Sequence, residues 1–349
     1  MPPLAFLIPF ALALLTTPLA GRLGQRWGLV AVPGGRRQHA EAVPRIGGIG
    51  LFTGFFLTAL GLYLFAPLND RLRLPVGGVL IGAAFVFLFG LADDKWEFKA
   101  WPQFAAQFVA ALIAIATTVF IEQVTLPFRG FTVFPWYITY PLTILWITGM
   151  MNTVNFLDGL DGLATGVGSI AAVIFAIHSY TLGQREIALY SLALAGACAG
   201  FLIFNFYPAR IFLGSAGAMT LGYVLATLSI LAPARVMTAL LVMVIPIADT
   251  AFQIFDRWRR GASPFRGDRG HLHYRLMDLG LSQRPIVLGY WIFCAVFGAL
   301  VLIIASRLYK LIALGAAGLI VVGLLIVLSR RQEEKSQIPN PKSQEAEGE

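Results

Sequence analysis

Eleven apolar runs, each about long enough to cross a bilayer, constrain this chain more than any other feature. They lie at roughly 4–22, 47–66, 76–93, 101–121, 137–153, 162–181, 186–206, 211–231, 235–255, 286–305 and 309–329. In hydrocarbon every backbone N–H and C=O must find a partner inside the protein, so such runs become helices or closed barrels. None alternates with the two-residue period of a barrel strand. The expected fold class is all-α, a polytopic integral membrane helical bundle of about eleven spans. It has ten if the fifth or eighth run, the two weakest, does not cross. Composition agrees: hydrophobic residues are 58% and charged residues 13% of the 349. A soluble domain of that length needs far more polar surface.

Basic residues orient the bundle, because loops rich in Lys and Arg stay in the cytoplasm. With the N-terminus outside, alternate loops collect Arg22, Arg26, Arg36, Arg37 and Arg45, then Lys95, Lys99 and Arg210. The same side holds Arg257, Arg259, Arg260, Arg266, Arg269, Arg275 and Arg284, and the tail after Ser329. The other side receives only Arg71, Arg73, Arg129, Arg185, Arg235, Arg307 and Lys310. The expected organisation is one transmembrane domain over 1–329, with cytoplasmic loops 23–46 and 256–285 and a polar, unstructured tail over 330–349. The first run has no basic residue before it and five arginines after it, which suits an N-out anchor and not a cleaved signal. Cys198 and Cys294 fall within spans without metal-ligand spacing and read as packing residues. The basic residues flank spans and form no soluble basic domain, which argues against nucleic acid as a partner.

Polar residues in such a chain are costly and mark function. The richest stretch is Asn152-Thr-Val-Asn155-Phe-Leu-Asp158-Gly-Leu-Asp161-Gly. On a helix, Asn155, Asp158 and Asp161 would share one face. Oxygen donors beside glycines suit a hard divalent cation and a phosphorylated ligand; a self-capping helix end is the plainer alternative. Arg36, Arg37, His39 and Arg45 sit among glycines, as a phosphate clamp or a topogenic loop would. Asp93 and Asp94 close the third run and diverge by about 100° on a helix, so one of them faces a site there. The segment from Asn205 to Gly217, with Phe212, reads as a pocket wall or a plain turn. His271 and His273, flanked by arginines, have the wrong spacing for a helical metal pair and suit hydrogen bonds to a diphosphate or sugar. Every cluster falls on the expected cytoplasmic side.

These clusters, in this order, resemble the polyprenyl-phosphate N-acetylhexosamine-1-phosphate transferases. The likeness covers about 30–285 and rests on Arg36-Arg37, His39, Pro44-Arg45 and Gly47-Gly48, then Gly90-Leu-Ala-Asp93-Asp94 and Asn152 to Gly162. Pro246-Ile-Ala-Asp249-Thr and Ser263 to His273 complete it. The His271 segment favours the branch that initiates O-antigen, enterobacterial common antigen and teichoic acid over the MurNAc-pentapeptide branch. The resemblance implies transfer of HexNAc-1-phosphate, GlcNAc the likelier sugar, from a UDP-sugar to undecaprenyl or another polyprenyl phosphate at the bacterial plasma membrane. It implies Mg²⁺, or Mn²⁺, as cofactor. By analogy Asp93, Asp94 and Asp158 are catalytic, and Asn155 and the residue at position 215 hold the metal. Arg36, Arg37, His39, Arg45, Asn152, Asp161, Asn205, Phe212, Asp249, Arg266, Arg269, His271 and His273 would hold the two substrates. A homodimer is compatible with this reading and not required by it.

Three positions depart from the family pattern. Ser215 stands where the family has a metal-binding aspartate, and no acidic residue lies between 187 and 248 to replace it. A hydroxyl is a poorer ligand than a carboxylate for a hard cation. Ala218 replaces a serine, and Tyr274 replaces the second of two adjacent histidines. Two other readings therefore stand beside the transferase: a member that binds lipid or nucleotide without turnover, and a transporter of a phosphorylated solute. A transporter would place its polar residues near the midplane, where only Asp249 and His178 qualify.

Overall fold

The computed structural model describes residues 2–31, 42–126, 130–231, 235–261 and 270–337. Helix α1 (Pro2–Arg26) leads through strands β1 (Val30–Ala31) and β2 (Val43–Pro44) to α2 (Gly48–Phe65). Helices α3 (Asp70–Trp96) and α4 (Ala100–Ala116) follow, then strands β3 (Gln123–Leu126) and β4 (Gly130–Val133). Next come α5 (Trp136–Leu157), α6 (Leu163–Thr181), α7 (Arg185–Asn205) and α8 (Gly214–Ile230). The chain continues as α9 (Arg235–Val242), α10 (Val244–Arg259), α11 (Leu272–Asp278), α12 (Gln283–Ile303) and α13 (Arg307–Gln337). The strands form two small antiparallel hairpins, β1–β2 and β3–β4, in an otherwise helical molecule.

Every apolar run falls on helix, but the runs are not equivalent. Among the described residues, seven helices (α1, α2, α3, α6, α7, α12 and α13) are long and apolar enough to cross a membrane. The count is eight if α9 and α10 form one broken span. They meet at a bend of 80°. Pro246, in the first turn of α10, has no N–H to continue the ladder of α9 and crowds the carbonyl four residues back. The fourth run is cut short where Thr118 turns to φ 63°, and the eighth begins only at Gly214. The last helix passes the end of its apolar run to Gln337, so the expected unstructured tail begins as helix; 338–349 lie outside the described residues.

Helix α8 is the axis of the bundle, and every residue from Ala216 to Ser229 is buried. It packs against α2, α3, α5, α6 and α9. That explains its modest length and apolarity: its neighbours are other helices, not lipid. Close crossings are made by small residues, as in membrane bundles generally. A Cβ on Gly48 would lie 2.3 Å from the Gly217 nitrogen, and one on Gly90 would lie 2.4 Å from the Ala216 Cα. Gly196 and Gly200, one turn apart on α7, take the Phe6 and Phe10 carbonyls of α1 against their faces. Polar groups also join helices: Asn152 on α5 and Gln107 on α4 exchange amide hydrogen bonds of 2.6 and 3.3 Å.

Candidate active site

A cavity of about 540 Å³ opens at one end of the bundle, where α3, α5 and α7 finish and α6, α8 and α12 begin. Arg45, Asp94, Asn155, Asp158, Asp161, Asn205, Phe212 and Ser215, all singled out from the sequence, line it.

Asp94 sits in the last turn of α3, buried, with its carboxylate over the start of α8. It accepts the Ser215 N–H at 2.7 Å and the Ala216 N–H at 3.1 Å. These are orphan donors of a helix N-terminus, where a negative charge is also favoured by the dipole. Gly214 makes this approach geometrically feasible. Its φ is +72°, and a Cβ there would meet the Arg45 carbonyl at 2.0 Å and both Asp94 carboxylate oxygens below 3 Å. Main-chain bonds fix the adjoining wall: Phe212 N–H to Pro44 O, Gly47 N–H to Phe212 O, and Gly48 N–H to Leu213 O. The Arg45 side chain spans from that wall to Glu97, with which it forms an ion pair.

The 155–161 cluster is not one helical face. Helix α5 ends at Leu157, Asp158 caps it, and Gly162, at φ 78°, starts α6. Asn155, Asp158 and Asp161 reach the same cavity from a helix end, a cap and a turn. Asp161 also accepts the Ala209 N–H at 2.9 Å and so ties the 206–213 loop to the site. Asn205, buried at the end of α7, accepts from the Thr165 hydroxyl at 2.9 Å and donates to the Ile211 carbonyl at 3.0 Å.

Other residues expected at the site stand behind it. Asp93 is buried on a different side of α3 from Asp94. It accepts the Phe98 N–H at 3.0 Å and the Gln103 amide at 3.0 and 3.1 Å, clasping the α3–α4 turn. Asn152 is occupied with Gln107, one turn deeper than Asn155. Asp249, on α10, bonds His271 Nδ1 at 3.0 Å and the Leu272 N–H at 3.0 Å, which seats the start of α11. The His271 ring lies parallel to His273, centroids 5.8 Å apart. Both rings are buried, and His273 together with Tyr274 presses on Gly159. Asp93, Asn152, Asp249, His271 and His273 are thus not among the cavity-lining residues. Arg36, Arg37, His39, Arg266 and Arg269 lie outside the described residues.

Met277, Asp278, Ser282 and Gln283, from α11 and the start of α12, line the cavity beside Tyr274, and sequence reasoning missed these four. The signal in the sequence was the polar gap between the ninth and tenth apolar runs, masked there by its arginines and histidines.

Among the described residues no three His, Cys, Asp or Glu side chains converge as a metal site. The lining nonetheless offers oxygen ligands from Asp94, Asn155, Asp158 and Ser215. That partial set fits a magnesium ion, which takes one or two carboxylates and completes its shell with water and phosphate oxygens. It does not fit a self-sufficient metal centre.

Glycosyl transferase family 4 matches the chain over residues 76–233. A probable undecaprenyl-phosphate N-acetylglucosaminyl 1-phosphate transferase of Bacillus subtilis is 30% identical over 346 residues, 97% of this chain and 93% of the relative. A decaprenyl-phosphate N-acetylglucosaminephosphotransferase of Mycobacterium tuberculosis is 34% identical, over 89% of this chain and 85% of its own. The match to a phospho-N-acetylmuramoyl-pentapeptide-transferase of Shouchella clausii is shorter, 32% identical over 74% of this chain and 82% of that protein.

Proposed function

The chain belongs to glycosyl transferase family 4, and from that premise we propose that it transfers GlcNAc-1-phosphate from UDP-GlcNAc to a polyprenyl phosphate. The carrying observation is the cavity in which Asp94, Asn155, Asp158 and Arg45, distant in sequence, meet at the helix ends. Alternation supports an eleven-span reading. The ends of α3, α5 and α7 and the starts of α6, α8 and α12 meet at one level, as successive crossings require. With the basic loops, that level is the cytoplasmic face and the N-terminus is outside. The chain is a multi-pass bacterial membrane protein, and at that face a soluble nucleotide sugar meets a lipid phosphate.

In the reaction, an oxygen of the lipid phosphate bonds to the sugar-bearing phosphorus of the UDP-sugar. The bond from that phosphorus to the bridging oxygen breaks, and UMP leaves with the electron pair. The product is polyprenyl-diphosphate-GlcNAc, which would start a cell-envelope glycan. The attacking oxygen is already anionic near neutral pH, so the protein's task is alignment and charge control more than proton removal. Magnesium, bound with the diphosphate, supplies charge neutralisation at the leaving oxygens. Asp158 and Asn155 are the residues that would hold it. Arg45 faces the phosphates, and Asp94, locked to α8, sets the distance between the two halves of the cavity. Asp161, Asn205 and Phe212 shape the nucleotide side.

Ser215 supports a second reading, a family member with weakened metal binding. The test is UMP release by purified protein from UDP-GlcNAc, undecaprenyl phosphate and Mg²⁺, with Ser215→Asp beside the native chain. Turnover by the native chain is the expected result, with a lower Mg²⁺ requirement in Ser215→Asp. Activity in Ser215→Asp alone identifies a disabled member. Silence in both, with folded protein and several UDP-sugars, overturns the transferase reading.

A further inference from the structure

The last turn of α3 carries a third acid, Glu97, which the proposed chemistry does not use. We propose that Glu97 is a positioning residue for Arg45. It holds the guanidinium at the cavity so that a substrate phosphate meets a cation already in place. The inference rests on the transferase reading for what enters the cavity, and on separate observations for the latch.

Three observations point to it. First, the backbone at Arg45 is pinned by main-chain hydrogen bonds. Its N–H bonds the Leu29 carbonyl at 2.9 Å, both flanks are stitched to 212–213, and its carbonyl packs on Gly214. The remaining freedom lies in the long side chain, and the ion pair with Glu97 restricts it. Second, Glu97 occupies the C-cap of α3 in the left-handed region, φ 48° and ψ 64°. Glycine is the unstrained residue for that cap. A side chain here is disfavoured by the backbone and is explained by what the side chain holds. Third, the pair is unequal in exposure, with Glu97 at 69% and Arg45 at 21%. Exposed pairs contribute little to stability, so this one is not explained as a fold-holding contact. The same turn bonds Asp93 to Gln103 and Asp94 to α8. One helix end thereby sets the position of both charges, Asp94 and Arg45, in the lining of the cavity.

Glu97→Gly separates the two roles of the residue, since it relieves the cap and deletes the latch. The measurements on the full chain in detergent are thermal midpoint, steady-state kinetics with UDP-GlcNAc and undecaprenyl phosphate, and the rate at which phenylglyoxal modifies Arg45, read by peptide mass spectrometry. The expected result is a midpoint equal to or above the native one and kcat/KM lower by roughly tenfold, chiefly through KM. Arg45 should react severalfold faster. In an Arg45→Ala background, Glu97→Gly should cost nothing further, as two residues acting through one interaction require. Unchanged kcat/KM, or an equal loss in the Arg45→Ala background, overturns the proposal. If neither the native chain nor Ser215→Asp turns over a UDP-sugar, the transferase reading fails, and the modification rate still decides the latch: an unchanged rate refutes it.

Discussion

Two adjacent carboxylates, Asp93 and Asp94, show how far one residue step changes a role. A step of about 100° around α3 puts Asp94 against the α8 amides and Asp93 against Gln103. The first lines the cavity and the second holds a turn together. Asp94→Asn should therefore lower turnover by about a hundredfold or more, the scale for removing a preorganised charge at a reacting centre. It should also lower the thermal midpoint, because an amide oxygen can satisfy only one of the two α8 N–H donors. Asp93→Ala should cost stability without that loss of turnover. It strands the Phe98 N–H and the Gln103 amide, and should destabilise by about 1–3 kcal/mol while keeping measurable activity. Comparable losses of turnover from both would refute the division. The pair as a charged cluster was legible in the sequence. Which member faces the cavity was not, because that depends on the phase of α3 against α8.

At the scale of elements, polar contacts and small residues fix how the helices meet. Asn152 and Gln107 join α5 to α4 by two amide hydrogen bonds. Gln107→Leu leaves Asn152 without that partner and should cost about 1–2 kcal/mol, the range for interhelical polar contacts in membrane bundles. Adding Asn152→Leu should return part of the loss, because no buried amide is then left needing a partner. Thermal midpoints of the two single variants and the double would show this, and strictly additive losses would contradict the pairing. Asn152 was read from sequence as a substrate ligand because it opens the Asn155–Asp158 motif. Its partner, 45 residues away, was invisible to any local pattern. The ninth run has the same lesson in reverse: its hydropathy is continuous, but Pro246 bends the pair by 80°.

The molecule as a whole is a bundle of helices around α8, with the cavity and its acids at one end. Orientation can be read without activity. Cys198 and Cys294 are buried, so single cysteines at exposed positions report accessibility cleanly. Leu182→Cys, in the α6–α7 turn, should react with a membrane-impermeant maleimide on intact cells. Leu279→Cys, beside the cavity, should react only after the membrane is opened. The opposite pattern would invert the bundle and move the cavity away from cytoplasmic UDP-sugars.

Sequence alone determined the solvent, the helical class and the chemical type of the site, because hydrocarbon forbids unpaired backbone and makes every acid or amide conspicuous. It marked Asp94, Asn155, Asp158, Asp161 and Ser215 in separate clusters on one expected face. Tertiary structure decided which of those oxygens share a space. It broke the 155–161 cluster into a helix end and a turn, and moved Asp93, Asn152, Asp249 and His271 behind the wall. It also brought in the Tyr274–Gln283 segment and tied Glu97 to Arg45, 52 residues away. The physical reason is that burial cost depends on residue type, which any sequence displays. Partnership depends on helix phase and crossing, which are set at the packed interfaces of α8 with its neighbours.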